Sequence, residues 1–214
     1  MTTPIIVFAK APVPGAVKTR LAPALGAEGA ARLHERLVER ALATATTAAV
    51  GPVELCCAPD ASDAFLAASA GVHGAVLTAQ GDGDLGRRMH CAFERALEGN
   101  RAAVVIGCDC PALTAQHLRD AAAALEAGYD AVIAPADDGG YVLIGLSRVH
   151  ASLFERIRWG GPDVFEETRA RLAGLGWRWR ELARLWDVDR PEDLERLASG
   201  IPDGERLLSG LRRR

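Results

Sequence analysis

Lys10, Lys18 and Arg20 place three cations within eleven residues of a loop that also carries Pro12, Pro14 and Gly15. Lysine offers a compact point charge and arginine a flat, two-pronged donor, so the set suits the oxygens of a di- or triphosphate. Gly15 lets backbone approach a ligand closely, and the two prolines stiffen the loop. A Walker loop is excluded, because Gly15 and Lys18 are not adjacent and the glycine spacing is wrong. The competing reading is a solvated basic loop. The chain has 25 basic residues, yet its only lysines are these two.

Asp109 sits in Gly107-Cys108-Asp109-Cys110-Pro111. Hard cations such as Mg2+ or Mn2+ choose carboxylate oxygens, and magnesium is commonly held by one or two of them plus substrate phosphates. The alternative for Asp109 is a turn cap ahead of the next helix. Cys108 and Cys110 have no second cysteine pair or neighbouring histidine to complete a zinc set, and they read as small buried residues, as do Cys56 and Cys57. Asp187 and Asp189 share a face of an extended segment. One is a candidate second metal ligand and the other a cap for the helix opened by Pro191; residue type does not separate the two roles.

Two glycine-rich loops complete the set. Gly83, Asp84, Gly86 and Arg88 could lie against a base or ribose, with Asp84 also able to cap a helix. Asp138, Gly139, Gly140 and Tyr141 follow a strand, and their glycines permit close approach to a ligand; the same residues suit an Asp-Gly hairpin turn. His34, His73, His90, His117 and His150 are scattered and form no ligand pattern. Trp159, Trp177, Trp179 and Trp186 cluster late and read as core, although Trp159 beside Gly160-Gly161 could face an acceptor.

The elements that must position these residues alternate. Buried-strand runs are expected at 4–9, 53–58, 75–79, 102–107 and 130–135, followed by a strand at 139–146. Helices are expected at 27–50, 60–70 (capped by Asp60 or Ser62), 84–97 and 114–127. Further helical stretches are expected at 149–157, 162–173 and 191–198, with one more strand within 177–188. Repeated strand–helix units imply an α/β, three-layer α/β/α sandwich around a mostly parallel mixed sheet, as a single domain over residues 1–214. Such sheets bind ligands beyond the carboxyl ends of their strands, where these loops fall.

The remaining composition is that of an ordinary globular chain: 49% hydrophobic, 25% charged and a net charge of -3. No nucleic-acid or anionic-membrane partner is expected from that balance. The start lacks the basic stretch of a signal peptide, no run reaches a membrane span, and five cysteines form no secreted framework. A cytoplasmic, reduced protein is expected.

Five segments together carry a resemblance: Lys-Ala-Pro-x-Pro-Gly-x-Val-Lys-Thr-Arg-Leu, Gly-x-Asp-Leu-Gly-x-Arg-Met, Gly-Cys-Asp-Cys-Pro-x-Leu, Asp-Gly-Gly-Tyr and Asp-Val-Asp-x-Pro-Glu-Asp-Leu. From Ile5 to about Leu197 the chain resembles the nucleotide-diphospho-sugar transferase superfamily. Within it, the chain is similar to bacterial glycosyltransferases linked to arsenosugar biosynthesis, whose genes often accompany radical-SAM genes, and to phospholactate guanylyltransferases. The resemblance implies a glycosyltransferase-A-like fold. It also implies a metal-dependent transferase acting on a nucleotide sugar or nucleoside triphosphate and a small-molecule acceptor. It assigns donor phosphates to Lys18 and Arg20, with Lys10 and Gly15 beside them. It assigns the metal to Asp109 with Asp187 or Asp189, the nucleoside to Gly83–Met89, and the sugar or acceptor to Asp138–Tyr141, with Asp138 as candidate base. Two departures stand out: Arg190 replaces the usual threonine, and the Asp-x-Asp common in glycosyltransferases is absent. Glycosyl transfer leads on this resemblance. Nucleotidyl transfer with pyrophosphate release, of guanylyl or cytidylyl type, and an inactive nucleotide-binding module are the alternatives. A homodimer is the assembly weighed beside a monomer.

Overall fold

The computed structural model describes residues 2–211. Seven strands form one sheet in the order β3-β2-β1-β4-β6-β5-β7. They are β1 (Ile5–Lys10), β2 (Val53–Ala58), β3 (Val76–Ala79), β4 (Ala103–Gly107), β5 (Ala131–Pro135), β6 (Tyr141–Leu146) and β7 (Trp179–Glu181). All neighbouring pairs are parallel except those made by β6, which runs antiparallel to both β4 and β5. Seven α-helices connect them: α1 (Ala22–Ala48), α2 (Ala64–His73), α3 (Leu85–Leu97), α4 (Ala115–Glu126), α5 (Val164–Gly174), α6 (Asp193–Gly200) and α7 (Gly204–Leu208). The expected mostly parallel mixed sheet is present.

The pleat of β1 explains the layers. Ile5, Val7 and Ala9 point to a core shared with Val38 and Leu42 of α1, Leu66 of α2 and Leu118 of α4. Ile6 and Phe8 point the other way, toward Met89 and Phe93 of α3 and Phe165 and Leu172 of α5. Alternate residues of one strand thus bury against opposite helical layers, as a two-sided strand requires. A third cluster joins Leu21, Leu33 and Leu37 to Trp186, Val188, Leu197, Leu207 and Leu211. It fastens the C-terminal helices and the segment before them onto α1.

Several boundaries differ from expectation. The first long helix starts at Ala22, with proline in its first turn, and Gly26 at φ 74° kinks it. The cap of α2 is Asp63, whose side chain accepts from Leu66 N at 3.0 Å; Asp60 instead accepts from Ser62 N within its own turn. The 149–157 stretch is only a short 3-10 turn at Ala151–Leu153. The strand expected within 177–188 stops at Glu181. Beyond it a single bridge, Ala136 to Leu185, continues the pairing, because Trp186 and Val188 leave the sheet for the third cluster. The short helix α7 has no counterpart in the sequence reading.

The β5–β6 connection is a tight turn: Gly139 N donates to Ala136 O and Ala136 N to Gly140 O. Gly139 has φ +90°, and a Cβ there would sit 1.9 Å from the Pro162 carbonyl oxygen. Replacement Gly139→Ala combines a left-handed backbone with a backbone clash, so a loss of about 2 kcal/mol or more is expected. At roughly 2–4 °C per kcal/mol for a chain of this size, thermal denaturation will show a fall of about 4–8 °C or more. An unchanged melting temperature would remove the packing argument for this turn.

Candidate active site

Strand β1 has β2 on one side and β4 on the other, and the chain order reverses there. The loops leaving β1 and β4 therefore diverge and open a crevice at the sheet's carboxyl edge. The β1 loop carries Lys18 and the β4 loop carries Asp109. Lys18 Nζ lies 2.8 Å from Asp109 Oδ1, and the lysine side chain is only 4% exposed while Asp109 is 49% exposed. The ammonium also donates to the Val188 carbonyl at 2.5 Å. Lys18 adopts a left-handed backbone, φ 47°. Burial works against the charge of Lys18, yet Asp109 outweighs it and holds the lysine pKa above its ordinary value. Burial likewise opposes ionisation of Asp109, but Lys18 prevails and keeps the carboxyl below the usual range. The pair is ionised.

A strap from Leu182 to Asp189 delivers the late aspartates. Leu185 N donates to Pro135 O, Asp137 N to Leu185 O and Val188 N to Asp109 O at 2.9 Å. Asp189 forms an ion pair with Arg20, both partners largely exposed. Neither Asp187 nor Asp189 caps α6. Asp193 does the local work, accepting from Asp189 N at 2.9 Å and Arg190 N at 2.7 Å. Asp187 is a different case. Burial first, then the neighbouring charges of Asp109 and Asp138, push its carboxyl up to about 7.

Two cavities meet at this edge. One, about 570 Å³, is lined by Lys10, Lys18, Arg20, Arg88, Asp109 and Asp189, with His34 and Gln80. The second, about 210 Å³, is lined by Asp138, Gly140, Tyr141, Trp159 and Asp187 with several apolar side chains. Phe8, Leu85 and Gly107 line both. The structure thus brings together Lys10, Lys18, Arg20, Arg88 and Asp109 on one side, and Asp138, Gly140, Tyr141 and Asp187 on the other.

Other expected site residues have local structural tasks. Asp84 caps α3, accepting from Arg87 N at 2.9 Å, and lines a separate groove with Arg87 and His90. A Cβ on Gly86 would meet the Phe154 carbonyl oxygen at 2.5 Å and Trp159 Nε1 at 2.7 Å, so this glycine admits the tryptophan. Gly83, at φ +100°, makes the turn into α3, and Gly15 has φ +82° with open space around it. Asp138 Oδ1 accepts from Gly140 N at 2.9 Å, stabilising the β5–β6 turn.

Two site residues carry no sequence signal. His34 is buried in α1; Nε2 lies 3.0 Å from the Lys10 carbonyl and Nδ1 lies 3.9 Å from Asp109 Oδ1. Burial lowers its pKa, so the ring is neutral and Nε2–H donates to Lys10. Gln80 donates to the carbonyls of Ala9 and Cys56 at 3.2 and 2.9 Å, which fixes its Oε1 near Arg88. A histidine among helical leucines and a glutamine after a strand look like ordinary surface or core choices.

The family model described as "Uncharacterized protein conserved in bacteria (DUF2064)" matches residues 41–161. The chain belongs to this family. A protein from Desulfovibrio desulfuricans G20 carrying the working name nucleotide-diphospho-sugar transferase is 30% identical, with a TM-score of 0.86 over 97% of this chain and 94% of that one. The inositol-1-phosphate CTP transferase from T. maritima superposes with a TM-score of 0.62 at 11% identity, over 99% and 98% of the two chains. Rv0371C from Mycobacterium tuberculosis H37Rv, solved as a complex with manganese, gives 0.52 at 19% identity, over 94% and 100%. No curated protein matches in sequence. The nucleotide-diphospho-sugar transferase fold and the transferase class expected from the sequence are both borne out. Among the described residues no helix is long and apolar enough to cross a membrane.

Two measurements probe the electrostatics. Lys18→Met strands Asp109 and the Val188 carbonyl. Because Asp109 is half exposed, the expected loss is discounted to about 1–3 kcal/mol. Arg20→Met breaks a solvent-exposed pair and should change stability by less than about 1 kcal/mol. Equal melting temperatures for the two variants would contradict the buried clamp. For Asp187, the folded chain holds a proton that the unfolded chain has released between about pH 4 and 7. Its contribution to stability therefore falls as pH rises through that window. In chelator-treated protein, Asp187→Asn should raise the melting temperature more at pH 8 than at pH 5; an equal or larger gain at pH 5 would show that burial and the neighbouring carboxylates do not raise this carboxyl.

Proposed function

We propose that this protein is a metal-dependent nucleotidyltransferase that binds a nucleoside triphosphate in the cation-lined cavity and transfers its nucleotidyl group to a small acceptor in the second cavity. The observation that carries the proposal is the charge of the first cavity. Four cations, Lys10, Lys18, Arg20 and Arg88, line it against two carboxylates, Asp109 and Asp189. That excess matches the charge of a triphosphate better than that of a diphosphate sugar.

The donor set fits a divalent cation. Asp109 uses Oδ1 for Lys18, and Oδ2 makes no hydrogen bond or ion pair among the described residues. The Asp187 carboxyl is raised first by burial and then by the charges of Asp109 and Asp138, and a cation would relieve that second part. Asp109 and Asp187 would hold Mg2+ or Mn2+, which supplies charge neutralisation at the phosphates. The chain's own groups account for the rest. Lys10, Arg20 and Arg88 orient the triphosphate and stabilise the departing pyrophosphate. Lys18 keeps Asp109 ionised and fixed. The acceptor hydroxyl attacks the α-phosphorus, an oxygen–phosphorus bond forms, the bond to pyrophosphate breaks and the hydroxyl proton passes to Asp138. The whole chain works as one catalytic domain, since its site draws residues from Lys10 to Asp189 around one sheet. Free cysteines and a modest negative charge favour a reducing cytoplasmic setting without nucleic acid.

Glycosyl transfer is the second reading. The 30% identical relative's working name favours it, and the arsenosugar-linked resemblance belongs to it; the phospholactate guanylyltransferase resemblance belongs to the first. Thermal shift with Mn2+ separates them. CTP or GTP at about a hundred times its dissociation constant should add roughly 2.7 kcal/mol. Arg20→Met and Arg88→Met should each weaken triphosphate binding about tenfold while leaving the unliganded melting temperature nearly unchanged. Turnover should release pyrophosphate. Stabilisation by nucleotide sugars alone, with nucleoside diphosphate as product, would replace the proposal with glycosyl transfer. Binding of neither class would end both.

A further inference from the structure

The outer face of α3 carries a set of side chains that the proposed reaction does not use. His90 and Glu94 are one helical turn apart, and Cys91 is three residues before Glu94, so the helix gathers an imidazole, a thiol and a carboxylate on one side. Their ligating atoms all lie within 4.8 Å of one another. His90 Nδ1 is 3.4 Å from Glu94 Oε2. Along the chain His90 shows no ligand pattern; the turn of the helix brings the three groups together. The histidine ring is held in place, because it meets the buried Phe154 edge to face with ring centroids 6.0 Å apart. Cys91 is an exposed free thiol. The three groups open onto a surface groove that Asp84, Glu94 and Glu155 line with negative charge against the guanidinium groups of Arg87 and Arg156. Carboxylates outnumber cations there. Arg88 and Met89, just before this set, line the two catalytic cavities, so α3 presents different chemistry on different faces.

We propose that His90, Cys91 and Glu94 bind a zinc ion, separate from the divalent cation at the phosphate side. Zinc accepts a mixed nitrogen, sulfur and oxygen set, whereas magnesium and manganese favour oxygen ligands. A tetrahedral ion with zinc bond lengths sets its ligand atoms roughly 3.3–3.8 Å apart. The histidine–glutamate separation already meets that, and a side-chain movement of about 1 Å brings the sulfur in. Binding displaces the Cys91 thiol proton to solvent, and the thiolate and carboxylate then balance the charge of the ion. Water takes the fourth position, which leaves the ion exchangeable. With three ligands and two arginines nearby, affinity falls in the micromolar range, short of a four-ligand structural site. The chelate spans one turn of α3 and stiffens it. This proposal stands independently of the nucleotidyl-transfer reading.

Cobalt reports on a thiolate ligand directly. The full chain, freed of metal with a chelator, kept reduced and supplied with excess Mg2+ to fill the oxygen-ligand site, is titrated with Co2+ and then with Zn2+. Co2+ should give a near-ultraviolet thiolate charge-transfer band that saturates at one ion per chain and is lost in Cys91→Ser. Zn2+ should abolish the band. In competition with a zinc indicator, Cys91→Ser and Glu94→Gln should each weaken Zn2+ binding at least tenfold. Both side chains are exposed, so neither variant should move the melting temperature of the metal-free chain. A charge-transfer band that survives Cys91→Ser would put the ion elsewhere, at the corner of His34, Cys108 and Asp109, and would overturn the proposal. So would Zn2+ affinity that neither variant changes, or the failure of the native chain to take up Zn2+ at micromolar concentration.

Discussion

A buried ammonium organises this site. Lys18 is held between the Asp109 carboxylate and the Val188 carbonyl, so one side chain ties the loop after β1, the loop after β4 and the late strap into a single edge. An ammonium with almost no water around it needs such partners, and Asp109 stays ionised in return. Lys18 is thus more than one of several cations offered to phosphates. It fixes the position of the Asp109 carboxylate, the proposed metal ligand, and His34 supports the same corner from α1 through the Lys10 carbonyl.

The same economy of charge divides the crevice. Cations gather on the β1-loop side and carboxylates on the β5–β6 side, with Gly107 at the end of β4 between them. Asp187 is buried beside Asp109 and Asp138, and burial first, then those neighbouring charges, raise its carboxyl. A site that stores repulsion without a ligand gains affinity for whatever relieves it.

Much of the architecture was legible along the chain. The strands at 53–58 and 102–107 lie within a residue of their expected bounds, because apolar runs buried on both faces leave few alternatives. The helix after Asp84 was marked by its cap. Legibility failed where tertiary packing overrides local pattern. Alternating apolar residues after Trp177 look like strand, but Trp186 and Val188 are drawn off to α1, α6 and α7. Gly83, Asp84 and Gly86 look like a ligand loop, but a cap and the close approach of Trp159 use them.

The sequence by itself determined the alternation of strand and helix, the loops that face the carboxyl edge and the residue types able to bind phosphate and metal. Those properties follow from periodicity and side-chain chemistry, which are local. It did not determine that Lys18 would be buried, that Asp189 would pair with Arg20 while Asp187 faced other carboxylates, or that Tyr141 and Trp159 would help enclose an apolar chamber. Those outcomes depend on distances between segments far apart in the chain, such as the 170 residues separating Lys18 from Val188. Only the folded sheet sets those distances, and burial and Coulomb interaction act through them.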